Sequence, residues 1–475
     1  MDFGTSRRQF LTTTGTVASL GFSRLEPALS GPSLAVQADQ SAQPNGRPKI
    51  AAIATTYYYL SHAYHIVGRF LDGFMIFEPG GKRVHHQPPF EVASLFIEQI
   101  QDDTDLGRAK AARHQVRLSP TIADALTLGT ETLAVDAVLL IAEHGDYPLN
   151  DRLQKLYPRG RFFREILEVF KSSRRSVPVF IDKHLSYSRH EAQEMVDQAR
   201  SRGVPLMAGS SLPVTWRLPP LEIPLGQPIR DILVASRGNL EIFGFHALET
   251  LQCMAERRDR RGRPQGVKAV TCLEGEAVWN AADEGIWSWE LLDRALSRSH
   301  TVNPGDIKQN TRDFTPPPIR DVATMARVPT AFVVEYQDGL RATALLLNGH
   351  VDDTTVAVKT VDQTGRESIL STLVYLPAPP GARFFDPLVL RIEEFFQSKS
   401  PPYPVDRTLL SGGILDAALQ SRVENHRRIE TPELAMIDYE APADSGFIRL
   451  PLTDPTSNRL LQADETTEVD TPQGD

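Results

Sequence analysis

Polar and ionisable residues follow several short apolar runs of this 475-residue chain. A short apolar run is typical of a buried strand, and parallel strands bring their carboxyl ends to one edge of a sheet, where ligands bind. Lys183 is the sharpest candidate, because it directly follows the run "VPVFID" and lies beside Asp182. A lysine in that position can hydrogen-bond a substrate hydroxyl or act as a proton donor.

The other apolar runs are followed by further residues of this kind. They are Thr55, Thr56, Ser61 and His62 after the first run, Glu98 after the second, Glu143, His144 and Tyr147 after "VLLIA", and His184 after Lys183. We expect the first group, with Glu98, Glu143 and Lys183, to bind a cofactor. His144, Tyr147 and His184 are then the candidates for binding a substrate.

Four histidines support a second interpretation. His62, His144, His184 and His246 could converge with nearby carboxylates, and imidazole with carboxylate suits zinc or iron. A bound metal could activate water to hydrolyse a sugar or an ester. No His-x-His or His-x-x-x-His pair lies among the four, so that we assign no metal ligands, and a metal-dependent hydrolase stays open as an alternative.

Strand and helix patterns alternate over residues 49–211. Apolar runs at 50–54, 91–97, 133–142, 177–182 and 204–211 read as strands, and amphipathic segments between them read as helices. Ser61 is a candidate cap for the first helix. This alternation predicts an α/β domain with a Rossmann-like parallel sheet whose two faces are covered by helices.

The pattern changes over residues 212–450. Two hairpins are expected at 330–347 and 355–376, with turns at "QDG" and "DQTG". Helices are expected at 387–396 and 412–423. We therefore predict a C-terminal α+β domain with a mostly antiparallel sheet, and an open face of that sheet could form a homo-oligomer.

The two ends of the chain differ from its middle. Residues 1–48 contain Arg7 and Arg8 in "SRRQFLT", which resembles a twin-arginine export signal, followed by a polar linker. Because that route exports folded proteins, we expect a periplasmic protein that could carry a cofactor with it. Residues 451–475 read as a loose acidic tail. The net charge of −9 argues against nucleic acid as a partner, and no later run is long enough to span a membrane.

Two segments, "VDAVLLIAEHGDYP" and "VPVFIDKHLSYSRHEAQEMVDQARSRGVPLMAGS", resemble the first domain of the Gfo/Idh/MocA oxidoreductases. The segment "GFHALETLQCMAERR" is similar to a helix in the second domain of that family. The resemblance covers residues 49–440 and implies an NAD- or NADP-dependent oxidoreductase acting on a sugar or polyol. It further implies that Lys183 contacts nicotinamide and substrate, that His246 is the histidine on the substrate side, and that Glu249 is the accompanying acid. Lys183 and His246 would then handle the proton.

The family's glycine fingerprint is not kept. Its three glycines and its histidine fall on Ala54, Thr56, Tyr59 and His62, so that only the histidine matches. Glycine permits a positive φ and a close approach of pyrophosphate to the backbone. We expect Tyr59 to crowd the helix against the sheet, so that either the turn is reshaped or the pyrophosphate is not held there.

Other groups near that turn could compensate for the missing glycines. The hydroxyl groups of Thr55, Thr56 and Ser61 and the start of the helix could still hold an anion, and Glu98 could bind a ribose hydroxyl. A non-catalytic sugar-binding protein on the same scaffold stays open as an alternative.

Overall fold

The computed structural model describes residues 46–318, 322–377, 382–454 and 459–460. Arg7, Arg8 and nearly all of the linker lie outside the described residues, as does most of the acidic tail. The described residues from Arg47 onward belong to one compact unit, which contains two large sheets. The first sheet ends at Gly209 and the second begins at Trp216, on either side of the predicted boundary at 211.

The first sheet has six parallel strands. In spatial order they are β5 (Arg117–Leu118), β4 (Glu91–Ile97), β1 (Lys49–Ala54), β6 (Ala137–Ile141), β7 (Val179–Asp182) and β8 (Leu206–Gly209). The order of strands along the chain reverses between β1 and β6, which is the switch point where ligands bind in such sheets. The predicted strands are confirmed, and β4 has the predicted bounds.

Helices cover both faces of this sheet. Those that connect its strands are α1 (His62–Asp72), α2 (Gly107–Arg113), α3 (Ile122–Thr127), α4 (Arg159–Ser173) and α5 (Arg189–Ser201). Side chains alternate along β1, so that Ala51 and Ile53 pack on the side of α3 and α4, while Ile50 and Ala52 pack on the side of α1. The predicted doubly covered sheet is therefore present.

A helix from late in the chain also packs on the first sheet. α10 (Phe385–Ser398) was expected to close the second domain, but its apolar side chains share a core with α1. Phe385, Leu388 and Ile392 are buried there beside Val67 and Phe70 of α1. A helix from the C-terminal part of the chain thus helps to cover one face of the first sheet.

The second sheet has eight strands, and all of its pairs are antiparallel except β10 with β13. In spatial order they are β16 (Ile429–Glu430), β11 (Val267–Glu274), β12 (Thr330–Tyr336), β13 (Arg341–Leu346), β10 (Ile229–Ser236), β14 (Thr354–Val361), β15 (Glu367–Tyr375) and β9 (Trp216–Leu218). The two predicted hairpins are β12–β13 and β14–β15. The mostly antiparallel sheet is confirmed.

Both faces of the second sheet are covered. Val234 of β10 packs on the side of α6 (Ile242–Ala255) and α11 (Val405–Val423), and α11 begins before the predicted position 412. Leu233 and Ala235 point to the other face, where they pack with α7 (Glu276–Asp283) and α8 (Trp289–Leu296). The expectation of an open face was wrong where these helices lie, and the predicted homo-oligomer loses that support.

The remaining elements are short. They are the hairpin β2 (Phe74–Phe77) and β3 (Arg83–His86), α9 (Ile307–Arg312), a 3-10 turn at Val322–Thr324, α12 (Pro432–Ala435), and the pair β17 (Thr453–Asp454) and β18 (Arg459–Leu460). The pair β17 and β18 lies within the predicted acidic tail, most of which is outside the described residues. Among the described residues, no helix combines the length and the apolar character needed to cross a bilayer.

Candidate functional site

Lys183 lies at the carboxyl end of β7 in a buried ion cluster. Its Nζ donates to Oε1 of Glu143 at 2.8 Å, and Arg159 at the start of α4 donates to the other carboxylate oxygen. All three side chains are almost fully buried. Burial alone would raise the pKa of Glu143, but Lys183 and Arg159 lower it well below its usual range. Glu143 is therefore ionised, and its one negative charge lies between two cations.

The backbone is unusual at two of the strand ends. Lys183 has a φ of 60° and His144 has a φ of 69°, both in the left-handed region that side chains other than glycine rarely adopt. Such conformations cost about 1–3 kcal/mol each and concentrate at functional sites. The strain therefore supports a functional role for the ends of β6 and β7.

His62 and Asp182 form a pair at the start of α1 and the end of β7. The Nδ1 atom of His62 lies 2.6 Å from Oδ2 of Asp182. The His62 ring contacts the rings of His144 and Phe385, with centroids 5.2 and 5.0 Å away. Asp182 therefore fixes the orientation of His62, and the other ring nitrogen remains for a ligand.

Three further histidines are held neutral. Burial first, and then the charge of Lys183, lowers the pKa of His246 on α6 well below its usual range. Burial likewise lowers the pKa of His184, with Arg159 adding to the effect. The pKa of His144 falls to about 3, mainly through burial and then through His62. These rings can accept or donate hydrogen bonds without carrying charge.

Six predicted site residues therefore come together, and we call them the strand-end cluster. They are His62, Glu143, His144, Lys183, His184 and His246. Within the described ranges, no group of three or more His, Cys, Asp or Glu residues is placed to hold a metal ion. The four histidines thus give the metal-dependent hydrolase no support.

The turn between β1 and α1 is reshaped. Tyr58 pairs with Asp105, and Leu106 N donates to the carbonyl oxygen of Tyr57, which ties the turn to the loop after β4. Tyr59 is 41% exposed. The expectation that Tyr59 would crowd the helix against the sheet was wrong, because the turn carries its side chain outward.

The three hydroxyl residues of this turn have different roles. Ser61 caps α1, and its Oγ accepts from the backbone N–H groups of Tyr58 and Tyr64. Thr55 donates to the carbonyl oxygen of Glu143 at 2.8 Å. Thr56 is buried, and its Oγ1 has no hydrogen-bond partner in the described part of the chain. Of these three side chains, Thr56 therefore has the buried hydroxyl that could bond a ligand.

Glu98 and Tyr147 form a second group with Arg161. The Tyr147 hydroxyl donates to one oxygen of Glu98, and Arg161 donates to the other. Gln99 and Asp146 are joined by two further hydrogen bonds of 2.7 and 3.0 Å. These bonds connect the loops after β4 and β6, which flank β1. The expected ribose contact of Glu98 would have to coexist with both of its present partners.

Glu249 on α6 makes its hydrogen bonds outside the strand-end cluster. Ser210 donates to its Oε2 through both backbone N–H and hydroxyl, at 2.8 and 2.6 Å, and Thr408 Oγ1 lies 2.9 Å from its Oε1. Burial raises the pKa of Glu249 to about 7, although these hydrogen bonds lower it. Glu249 joins the end of β8 to α6 and α11, and it makes no hydrogen bond to the strand-end cluster.

Sequence reasoning missed three partners of this cluster. Arg159 lies among several arginines and was not selected as a site residue, and Asp182 was noted only as a neighbour of Lys183. Glu241, just before α6, accepts from the backbone N–H of Lys155 at 2.8 Å and lies 3.6 Å from Nε2 of His184. No local pattern could have selected Glu241, because its role depends on the contact between α6 and the first sheet.

Solved structures similar to this chain include Gfo/Idh/MocA oxidoreductases. GenD2 from gentamicin A biosynthesis, in complex with NAD, is 14% identical, with 82% of this chain and 98% of that chain covered and a TM-score of 0.48. Myo-inositol 2-dehydrogenase from Lactobacillus plantarum is 11% identical, with 81% of this chain and 99% of that chain covered and a TM-score of 0.46. A Gfo/Idh/MocA family oxidoreductase from Vibrio cholerae is 15% identical, with 80% of this chain and 99% of that chain covered and a TM-score of 0.43. No protein-family profile and no curated protein sequence matches the chain.

Proposed function

We propose that this protein is an NAD(P)-dependent oxidoreductase that acts on a sugar or polyol. The supporting observation is the strand-end cluster itself. Ionisable side chains from β6, β7, α1 and α6 converge at the carboxyl edge of the parallel sheet, beside the switch point. Burial, compensated charges and strained backbone together are typical of a catalytic site.

The residues of the cluster have distinct tasks in this proposal. A nicotinamide nucleotide, when bound, would supply the acceptor for a hydride from the substrate carbon. Lys183 keeps two N–H bonds beyond the one it gives to Glu143, and these can donate to the substrate hydroxyl. His246 is neutral, and its Nδ1 has no partner among the described residues, so that it can accept a hydrogen bond from the substrate hydroxyl as the proton leaves. Glu143 and Arg159 hold Lys183 in place.

The residues present fit a nicotinamide nucleotide at the cluster. Thr56 Oγ1 and His144 Nε2 are buried polar atoms without a hydrogen-bond partner in the part of the chain that the structure describes. Unpaired buried atoms of this kind are costly, and a ligand that bonds them removes the cost. At the pyrophosphate end, Thr56 and the start of α1 would take over the task of the missing glycines.

Cofactor binding is the first test. We expect NADH or NADPH to bind to the purified protein in a fluorescence titration, or a nicotinamide nucleotide to be released on denaturation and identified by mass spectrometry. Turnover is then measured with a panel of sugars and polyols. Lys183→Met should retain nucleotide binding and lose turnover by about 100-fold or more. Lys171→Met, on the exposed surface of α4, is the matched control. If neither nucleotide binds, the proposal fails.

The alternative is a sugar-binding protein without redox chemistry. The hydrogen bonds from Tyr147 and Arg161 to Glu98 favour it, because they occupy the acid expected to bind the ribose. This alternative would be supported if the wild-type protein binds a sugar, binds neither nucleotide and shows no turnover that Lys183→Met could reduce.

We also propose that the chain is exported in folded form to the periplasm. The support is the sequence around Arg7 and Arg8. Replacement of both arginines by lysine should leave the protein in the cytoplasmic fraction, as measured by cell fractionation and immunoblotting. Export that is unchanged in this variant would contradict the proposal.

A further inference from the structure

Carboxylates outnumber cations among the buried charges of the strand-end cluster and its partners. Glu143, Asp182 and Glu241 supply three carboxylates, and Lys183 and Arg159 supply two cations. All five side chains are at least nine-tenths buried. Charges in such surroundings are weakly screened, so that their balance governs which ligands can enter.

Both buried cations already have a carboxylate partner. Lys183 and Arg159 bind the two oxygens of the same carboxylate, Glu143. Lys155 lies within electrostatic reach of His144, but it is engaged in an interaction of its own. An anionic substrate would therefore have to compete with Glu143 for its counter-charge.

The nearby arginines are also paired. Arg152 donates to Asp416 of α11 at 2.6 Å, and Arg161 donates to Glu98. His184 and His246 add no positive charge, because burial lowers the pKa of both. In the part of the chain that the structure describes, every arginine named around the cluster thus has a carboxylate partner.

The cluster nevertheless offers unused hydrogen-bonding atoms. Oδ1 of Asp182, Nδ1 of His184 and Nδ1 of His246 are buried without a partner among the described residues. Oε1 of Glu241 lies 3.6 Å from His184 and makes no hydrogen bond within the described residues. Carboxylate oxygens accept hydrogen bonds from hydroxyl groups, while Lys183 can still donate to a hydroxyl oxygen.

We infer that the substrate is an uncharged polyhydroxy compound, a free sugar or a cyclic polyol, rather than a phosphorylated sugar or a sugar acid. Its hydroxyl groups donate to Asp182 and Glu241 and accept from Lys183. A phosphate or carboxylate in the same place would face two carboxylates, and the two buried cations already bind Glu143. This inference rests on the proposed function and narrows its substrate class.

The test compares neutral compounds with their anionic counterparts. Free hexoses, pentoses and inositols are measured against the matched sugar phosphates and uronic acids, by calorimetric binding to the protein with and without NAD(P). One like charge about 5 Å away, at an effective dielectric constant of about 20, weakens binding roughly 100-fold. We therefore expect the best neutral compound to bind roughly 100-fold more tightly than its anionic counterpart. The inference is overturned if no neutral compound binds more tightly than its anionic counterpart.

Two variants test the assigned acceptors. Asp182→Asn and Glu241→Gln each remove one negative charge. Each should reduce the ratio of the affinity for the neutral ligand to the affinity for its anionic counterpart by about tenfold or more. Asp102→Asn, whose side chain is 88% exposed, is the matched control. An unchanged difference in both variants overturns the inference. If a variant does not fold, the wild-type panel decides.

The two proposals fail in different ways. Absence of nucleotide binding with a preference for neutral sugars refutes the oxidoreductase and leaves the substrate class standing. Nucleotide binding with a preference for sugar phosphates or sugar acids refutes the substrate class alone.

Discussion

Glu249 makes a sharp prediction about stability. Its buried carboxyl group has a pKa of about 7 in the folded protein, against an ordinary value of 4.5, because burial disfavours the ionised form. Thr408 Oγ1 lies 2.8 Å from the carbonyl oxygen of Ala208 and 2.9 Å from Glu249 Oε1. When its single proton is given to Ala208, this hydroxyl can accept a hydrogen bond from protonated Glu249.

The sign of the pH effect follows from proton binding. Between pH 4.5 and 7 the folded state holds a proton on Glu249 that the unfolded state has lost. The free energy of unfolding therefore falls as the pH rises through this range. The pKa difference of about 2.5, at about 1.4 kcal/mol for each unit, gives a loss of about 3 kcal/mol by pH 8.

Glu249→Gln should remove this loss. The amide oxygen can accept both bonds from Ser210, and the amide nitrogen can donate to Thr408. In urea titrations we expect the variant to match wild type at pH 4 and to exceed it by about 3 kcal/mol at pH 8. Glu194→Gln, at an exposed site on α5, should change stability little at either pH. A difference between variant and wild type that does not depend on pH would refute the reasoning.

Three further predictions concern single residues and are checked by urea unfolding. Ser61→Ala removes the acceptor for two backbone N–H groups at the start of α1 and should cost about 1 kcal/mol, whereas Ser61→Asp should keep most of it. Arg407→Met leaves Glu256 as an unpaired buried carboxylate and should cost about 3–5 kcal/mol, an effect that Glu256→Gln in the same chain should partly reverse. Gly145→Ala should cost at least about 1 kcal/mol, because φ is 105° and its Cβ would lie 2.7 Å from the Tyr147 ring.

The strand-end cluster could be predicted because it requires only that certain residues follow buried parallel strands. Once Glu143 and Lys183 are placed after two buried strands, the geometry of a parallel sheet brings them to one edge. Their 2.8 Å bond agrees with that argument. The same argument cannot set the order of strands, so that the sequence could not tell which strand ends become neighbours. Glu98 lies on the far side of β1 for this reason, bonded to Tyr147 instead of Lys183.

Contacts between distant segments could not be predicted from local patterns. An amphipathic helix shows which of its sides is apolar, but not what that side covers. α10 was therefore assigned to the second sheet although it packs with α1, and the helices α7 and α8 that cover the second sheet were not foreseen. Glu241 is a partner of His184 only because α6 docks against the first sheet.

The turn after β1 shows why a motif and the structure behind it can separate. Glycine is required at the third fingerprint position when that residue packs between helix and strand. Here α1 is capped by Ser61 and begins at His62, so that Tyr59 precedes the helix and points to solvent. The constraint that excludes a large side chain therefore does not act on Tyr59. Because α1 begins at His62, this side chain lies beside Asp182 at the edge of the sheet. The loss of the glycines is thus compatible with a binding site at the strand ends.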